Sequence, residues 1–221
     1  MADIFPDPES ADADGIVGWS DHLDCRMLAE AYRRGIFPWP LGNGVPLIPW
    51  ASPAERGILF CDQLHIRHSL KREMKKFTFD FRVDTDFEAV ITACAAMKRP
   101  DQEETWITGE MIRTYIEFHR LGYAHSFETY DANGQLAGGL YGISVGRIFC
   151  GESMFYRVSG ASKFAFVKMV EFLKQRGVVL IDTQMVTDAT AAFGARLIPR
   201  KEYLKLLSIY GGEPLDFRST I

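Results

Sequence analysis

The sequence predicts an α+β fold in which a mostly antiparallel sheet is flanked by helices. Residues 22–34 place apolar side chains near helical spacing, and two strand-like segments meet at a turn over 132–134. Residues 178–181 (VVLI) form an apolar run typical of a buried central strand. The 221-residue chain is 47% hydrophobic and 24% charged, which is the composition of a globular protein.

The N-terminal segment, residues 1–15, is rich in Asp, Pro and Ala, and we predict that it is disordered. It has neither the basic nor the apolar region of a signal peptide, and no apolar run in the chain reaches the ~18–20 residues that span a bilayer. We therefore expect a cytosolic protein with no membrane contact. Reduced, partly buried thiols are expected at the four widely spaced cysteines, which are Cys25, Cys61, Cys94 and Cys150.

The first helix is expected over 22–34, with Gly35 as its C-cap. The following segment, 35–53, is predicted to be irregular because its prolines fix φ and remove backbone donors. Those prolines are Pro38, Pro40, Pro46, Pro49 and Pro53. Its aromatic residues Phe37, Trp39 and Trp50 indicate a packed, shaped loop rather than a free linker.

The remaining elements follow from periodicity and caps. Strands are expected at 57–60, 77–83, 124–131, 135–143, 147–155 and 178–184. Helices are expected at 64–76, at 87–97 behind the cap Asp86, at 110–122 behind Thr108 or Gly109, at 161–177 starting from Ser159 or Ser162, and at 201–207. The glycine-rich segment 138–142 lies within a strand, so it marks either a bulge or helix contact, or a place where a ligand approaches the backbone.

Three polar residues could carry chemistry. Asp182 and Gln184 follow the apolar run at positions i and i+2, so both are expected on one face of the strand. A buried Asp is costly unless it is paired, and Asp182 either caps the next turn or orients the Gln184 amide toward a reacting group. Glu152, between glycine and apolar residues, is either a buried hydrogen-bond anchor or a substrate contact.

One predicted helix carries a basic face. Five cationic side chains are opposed there by Glu73: Arg67, Lys71, Arg72, Lys75 and Lys76. This pattern is typical either of a solvated helix surface or of a surface that binds phosphates, and the family resemblance given below makes the second a tRNA-binding surface.

A resemblance covers roughly residues 26–206 in one order. The segments AYRRGIFPWP, TWITGEMIRTYIEFHRLGYAHSFE, GESMF followed by ASK, LIDTQ and FGARLIPR resemble leucyl/phenylalanyl-tRNA–protein transferases. The resemblance implies a small N-terminal domain (16–62) and a GNAT-like acyltransferase domain (63–221). It implies transfer of Leu, Phe and some Met from aminoacyl-tRNA to acceptor proteins with N-terminal Arg or Lys, which marks them for N-degron degradation. It implies no metal and no organic cofactor, and we expect a monomer.

The resemblance also assigns roles. Asp182 is expected to accept a hydrogen bond from the Gln184 amide, Gln184 to orient the attacking amine, and Glu152 to hold the acceptor or Gln184. Residues that match family positions stacking on the terminal adenosine are Trp50, Trp106 and Phe149. Those that match a pocket for the transferred side chain are Leu140, Met154, Phe166, Met169 and Leu173.

Departures from the family pattern are Tyr156, Thr183, Ala189 and Ala192, which we expect to affect substrate range more than reaction type. Two alternatives are a CoA-dependent GNAT N-acetyltransferase and a non-catalytic aminoacyl-tRNA-binding protein. The first would need a pyrophosphate-binding loop before a helix, and residues 157–161 (RVSGA) do not fit one.

Overall fold

The computed structural model describes residues 3–39, 47–97 and 107–217. Its strands are β1 (Ile16–Ser20), β2 (Phe37–Pro38), β3 (Ile48–Ala51), β4 (Glu55–Phe60), β5 (Asp80–Val83), β6 (Ala124–Tyr130), β7 (Leu136–Val145), β8 (Ile148–Tyr156), β9 (Leu180–Gln184) and β10 (Arg196–Pro199). Its helices are α1 (Cys25–Arg33), α2 (His68–Met74), α3 (Phe87–Ala95), α4 (Gly109–Arg120), α5 (Ala161–Gln175), α6 (Asp188–Ala191) and α7 (Arg200–Tyr210).

The larger sheet has seven strands in the order β10-β4-β9-β8-β7-β6-β5, and a smaller sheet has the order β1-β3-β2. Within the described residues, every neighbouring pair is antiparallel except β8 and β9, which run parallel. The predicted α+β fold with a mostly antiparallel sheet is therefore confirmed.

Side chains on the two faces of the large sheet belong to separate apolar cores. Along β7, Leu140 belongs to the core that contains α5, whereas its neighbour Tyr141 belongs to the core that contains α3 and α4. Phe149 and Cys150 on β8 divide in the same way. This alternation is expected because successive side chains of a strand point to opposite faces. Helices therefore cover both faces of the sheet.

The helix caps read from the sequence are compared here with the observed helix starts. Asp86 accepts a hydrogen bond from the Ala89 N–H at 3.0 Å, and Thr108 accepts one from Met111 at 3.2 Å, so both predicted caps are confirmed. Helix α5 instead follows Gly160, which has φ +83 and whose added Cβ would lie 2.5 Å from the Phe77 ring. A serine start for this helix was therefore wrong.

Helix α2 is shorter than predicted, because residues 64–67 run along another segment before it begins. The His65 N–H donates to the Phe193 carbonyl at 2.9 Å, which holds this stretch in an extended path.

The N-terminal residues required a correction. From residue 3 onward the segment is ordered against the core, because the Phe5 ring lies 4.6 Å from the Trp50 ring and is 6% exposed. The Ile4 N–H also donates to Glu30 Oε1 at 2.6 Å. The prediction of disorder is therefore wrong for residues 3–15.

The proline-rich segment also required a correction, since its described part contains β2 and β3. Pro49 lies inside β3, where its carbonyl still accepts a hydrogen bond from the Trp39 N–H at 2.7 Å. Pro49 has no backbone N–H, so it can take part in the sheet only as an acceptor. Strand β4 falls within the N-terminal domain predicted at 16–62, yet it pairs with β9 and β10 in the large sheet. The division of the chain into two domains stays a prediction.

In the three described ranges no helix has the length and apolar character needed to cross a membrane.

Candidate active site

The site forms where the parallel pairing of β8 and β9 ends. The last paired residues are Cys150 and Asp182. Beyond them, the hydrogen bond from Gln184 Nε2 to Glu152 Oε1, 2.8 Å long, joins the two strands through side chains. The polar pair therefore occupies the gap that opens between the diverging strands.

Glu152 reaches this gap because β8 bulges. Gly151 lies opposite Gly142 and Ser153 lies opposite Tyr141, so Glu152 is the extra residue in its strand. A bulge re-aims a side chain out of the regular alternation. The glycines of β7 fit the packing interpretation, since a Cβ on Gly142 would lie 2.6 Å from the Phe149 ring.

Gln184 adopts φ +60, a left-handed conformation that is unfavourable for a residue with a side chain. Such a conformation costs on the order of 1–3 kcal/mol unless the surroundings fix it. Here the Gln184 backbone N–H donates to Asp182 Oδ1 at 2.8 Å, which holds the turn. The Gln184 side chain consequently points toward Glu152.

Asp182 caps the turn that follows it, which is the first of the two predicted alternatives. Its side chain is 0% exposed and accepts two hydrogen bonds from Arg56, with Nε to Oδ1 at 2.9 Å and Nη2 to Oδ2 at 2.7 Å. Tyr203 Oη also donates to Oδ2 at 2.8 Å. The expected bond from the Gln184 side-chain amide was wrong. The left-handed turn rotates that amide away from the Asp182 face, so the two side chains do not share one face.

The Arg56 guanidinium fills a closed space between two aromatic rings. Its carbon lies 4.3 Å from the Phe37 ring centroid and 4.6 Å from that of Tyr203. A buried ion pair of this kind needs good geometry to offset desolvation, and the two-pronged contact supplies it. The pair therefore fixes Asp182, which in turn fixes the Gln184 backbone.

Glu152 lies in an environment that opposes its ionisation. Burial raises its pKa, hydrogen bonds from Tyr32 and Tyr115 oppose that effect, and the negative charge of Asp182 adds to it, leaving the pKa at about 7. The Tyr115 hydroxyl donates to Glu152 Oε2 at 3.4 Å and lies 2.8 Å from the Tyr32 hydroxyl. Glu152 can therefore gain or lose a proton near neutral pH.

A cavity of about 460 Å³ opens beside this pair. Of the residues predicted for a side-chain pocket, four line it: Leu140, Met154, Phe166 and Met169. Leu173 and Phe149, both 0% exposed, instead belong to the core beneath α5, so neither lines the cavity. The cavity wall is mostly apolar and also carries Glu152 and Gln184.

The tryptophan assignment required a correction. Trp50 is 0% exposed, packs on Phe5 and donates its indole N–H to Ser20 Oγ at 2.8 Å, so it is a core residue. Trp39 lines the cavity instead, together with Phe37. Trp106 lies outside the described residues.

The five predicted tRNA-binding cations all lie on the surface, at or next to α2. None of them forms an ion pair with a residue that the structure describes. Both interpretations, a solvated surface and a phosphate-binding surface, remain compatible with this arrangement.

The sequence did not reveal the supporting residues of the site: Tyr32, Arg56, Tyr115 and Tyr203. The two tyrosines on α1 and α4 match an apolar helix face, and the one on α7 matches a closing helix. Arg56 could have been noticed from the sequence, because it directly precedes the apolar strand predicted at 57–60. A cation buried there is costly unless it has a charged or polar partner. Among the residues described, no three His, Cys, Asp or Glu side chains gather as metal ligands would.

A family model and individual relatives of this chain point to the same protein family. The family model described as leucyl/phenylalanyl-tRNA protein transferase matches residues 58–208. The leucyl/phenylalanyl-tRNA–protein transferase of Anaeromyxobacter dehalogenans (strain 2CP-C) is 46% identical over 204 residues, covering 92% of this chain and 86% of that protein. The protein of the same name from Chromobacterium violaceum is 45% identical over 206 residues, covering 92% and 87%.

Among solved structures, a tandem GNAT protein from the clavulanic acid biosynthesis pathway is 12% identical with a TM-score of 0.37, covering 89% of this chain and 62% of that chain.

Proposed function

The chain belongs to the leucyl/phenylalanyl-tRNA protein transferase family, and from that premise we propose that it transfers Leu, Phe or Met from aminoacyl-tRNA to the N-terminal Arg or Lys of acceptor proteins. This modification would mark the acceptor for N-degron degradation. The observation that supports the reaction most directly is the Gln184–Glu152 hydrogen bond on the wall of an apolar cavity. A monomer acting in the cytosol remains the prediction made from the sequence.

The reaction needs little activation of the donor, because the aminoacyl ester of tRNA is already reactive. The acceptor amine attacks the ester carbonyl carbon, a C–N bond forms, and the C–O bond to the ribose breaks. Holding the two reactants in one cavity can supply much of the rate enhancement. The residues around the cavity therefore act mainly by positioning and by moving one proton.

Gln184 orients the attacking amine in this proposal. Because its Nε2 already donates to Glu152, its carbonyl oxygen is left to accept a hydrogen bond from the amine. A neutral amide is far too weak a base to take the proton itself. Its contribution is therefore orientation and electrostatic stabilisation.

Glu152 takes the proton that the amine loses and returns it to the departing ribose oxygen. A carboxyl whose pKa is about 7 is well matched to this exchange at neutral pH. Asp182 is a positioning residue, because it is buried against Arg56 and acts only through the Gln184 backbone.

The apolar wall selects the amino acid. Burying an unpaired charge there is costly, so Asp, Lys and Arg donors are excluded strongly. Leu and Val differ by one methylene, worth ~1–3 kcal/mol, so they are separated only weakly. Trp39 is placed to stack on the terminal adenine, a contact worth ~1–3 kcal/mol per base.

The test offers labelled Leu-, Phe- and Met-tRNA together with a peptide that begins with Arg, and acetyl-CoA in parallel. We expect aminoacyl transfer from the tRNAs, and turnover at least ~10²-fold lower in Asp182→Asn and Gln184→Ala. Asp62→Asn and Gln135→Ala change exposed residues away from the cavity and serve as matched controls. Acetyl transfer, or near-normal turnover in both site variants, would contradict the proposal.

A further inference from the structure

A second cavity, a groove of about 890 Å³, adjoins the first. The two share Met154, Phe166 and Ala189 in their walls, so the groove begins where the pocket for the aminoacyl group ends. Its other side is lined by residues at or on α2, namely Arg67, Ser69, Leu70 and Glu73. The groove therefore connects the cavity with the basic helix.

The N-terminal end of α5 opens into this groove with unused donors. Within the described residues, the backbone N–H groups of Ser162 and Lys163 donate to no carbonyl at this first turn, and no side chain caps the helix. Ser162 is 8% exposed and lines the groove, yet its hydroxyl makes no hydrogen bond to any described residue. This hydroxyl, beside the free helical N–H groups, is therefore available to a polar ligand in the groove.

Two cations lie on the same groove. Lys163 follows Ser162 on α5, Arg67 precedes α2, and neither forms an ion pair with a described residue. Free N–H groups at a helix N-terminus, a hydroxyl and two cations are together donors that suit a phosphate. Glu73 and Asp188 also line the groove, so its charge is mixed and favours one local anion site over a continuous basic surface.

We propose that this groove holds the single-stranded 3′ end of the donor tRNA, and that Ser162, Lys163 and Arg67 bind the phosphodiester preceding the terminal nucleoside. The inference rests on the proposed function and adds a subsite to it. Tyr156, which is 53% exposed and lines the groove, offers a ring on which the preceding base stacks. An acceptor polypeptide fits these donors less well because its terminal amine is itself cationic.

The test compares two non-hydrolysable probes, leucyl-amide-linked adenosine and the same compound extended at its 5′ side by cytidine 3′-phosphate. The full chain should bind the extended probe more tightly than the short one. Hydrogen bonds to a charged group are strong, so Lys163→Ala and Ser162→Ala should each remove roughly tenfold of that gain while leaving the short probe's affinity unchanged. Lys163→Arg should largely restore it.

Lys168→Ala is the matched control, because Lys168 lies on the same helix, pairs with Glu171 at 2.9 Å and does not line the groove. An unchanged gain in both Lys163→Ala and Ser162→Ala, or an equal loss for both probes, would overturn the subsite. A higher KM for the acceptor peptide with unchanged probe binding would assign the groove to the acceptor instead, and likewise overturn it. If the unmodified protein binds neither probe, the proposed function has failed as well.

Discussion

Replacing Glu152 by Gln should stabilise the protein at alkaline pH while inactivating it. Glutamine keeps the size of the side chain and its carbonyl can still accept the hydrogen bond from Gln184. It removes a carboxyl that burial makes costly to ionise. The stability gained and the activity lost would then have one cause, the proton that Glu152 must release.

The magnitude follows from the pKa of Glu152, which lies at about 7 in the folded protein against an ordinary value of 4.5. A carboxyl with a raised folded pKa contributes stability that is fully present below the unfolded pKa and is lost as pH rises through the folded one. The total is about 3 kcal/mol, of which about 2.5 kcal/mol falls between about pH 5 and pH 8. The stability advantage of Glu152→Gln over the unmodified protein should grow by about that amount over this range.

Urea unfolding of both proteins at the two pH values measures this difference. Other titrating groups, including Glu128, whose pKa burial also raises, are present in both proteins and cancel. Glu171→Gln, on the surface of α5, should show no such growth because exposed pairs contribute little. In parallel, turnover should rise with pH through about 7 in the unmodified protein and fall at least ~10²-fold in Glu152→Gln. A pH-independent stability difference would show that Glu152 ionises at its ordinary pKa and would refute the reasoning.

Four further substitutions, with Gly18→Ala as a control, separate the parts of the site. Gly57→Ala places a methyl 2.6 Å from the main chain just past β9, so turnover should fall roughly 10²-fold, whereas Gly18→Ala, with open space around its Cβ, should leave turnover unchanged. Trp39→Ala should weaken binding of an aminoacyl-adenosine by ~1–3 kcal/mol with little change in Tm. Trp50→Ala should lower stability by about 3–5 kcal/mol with binding per folded molecule unaltered; the opposite pattern would reverse the two assignments. Phe166→Ala enlarges the cavity and should raise use of Phe-tRNA over Leu-tRNA by roughly tenfold in a competition assay, and an unmoved ratio would mean that Phe166 does not bound the pocket.

The sequence predicted best what depends on neighbours along the chain. The caps at Asp86 and Thr108 involve residues three positions apart, and both are formed as expected. The alternation of Leu140 and its neighbours across two cores follows from strand geometry alone. These signals need no knowledge of distant contacts.

Distant contacts decided the rest. Trp50 and Trp39 lie in one proline-rich segment, and Trp50 is the one that contacts Phe5 and Ser20, which are far away in the sequence. The same-face expectation for Asp182 and Gln184 failed because Gln184 has a positive φ, which periodicity does not reveal. Helix α2 was shortened by a backbone contact to Phe193.

The carboxylate of Asp182 accepts hydrogen bonds from Gln184 in its own turn and from two other parts of the chain, at Arg56 and Tyr203. During synthesis, Arg56 emerges from the ribosome long before its partner, and Tyr203 follows Asp182 by 21 residues. Contacts between parts of the chain that are distant in sequence slow folding, because the entropy cost of loop closure must be met first. A nascent chain that still lacks α7 therefore has an incompletely held Asp182. Full support of Asp182, and through it of the Gln184 backbone, therefore depends on the docking of α7.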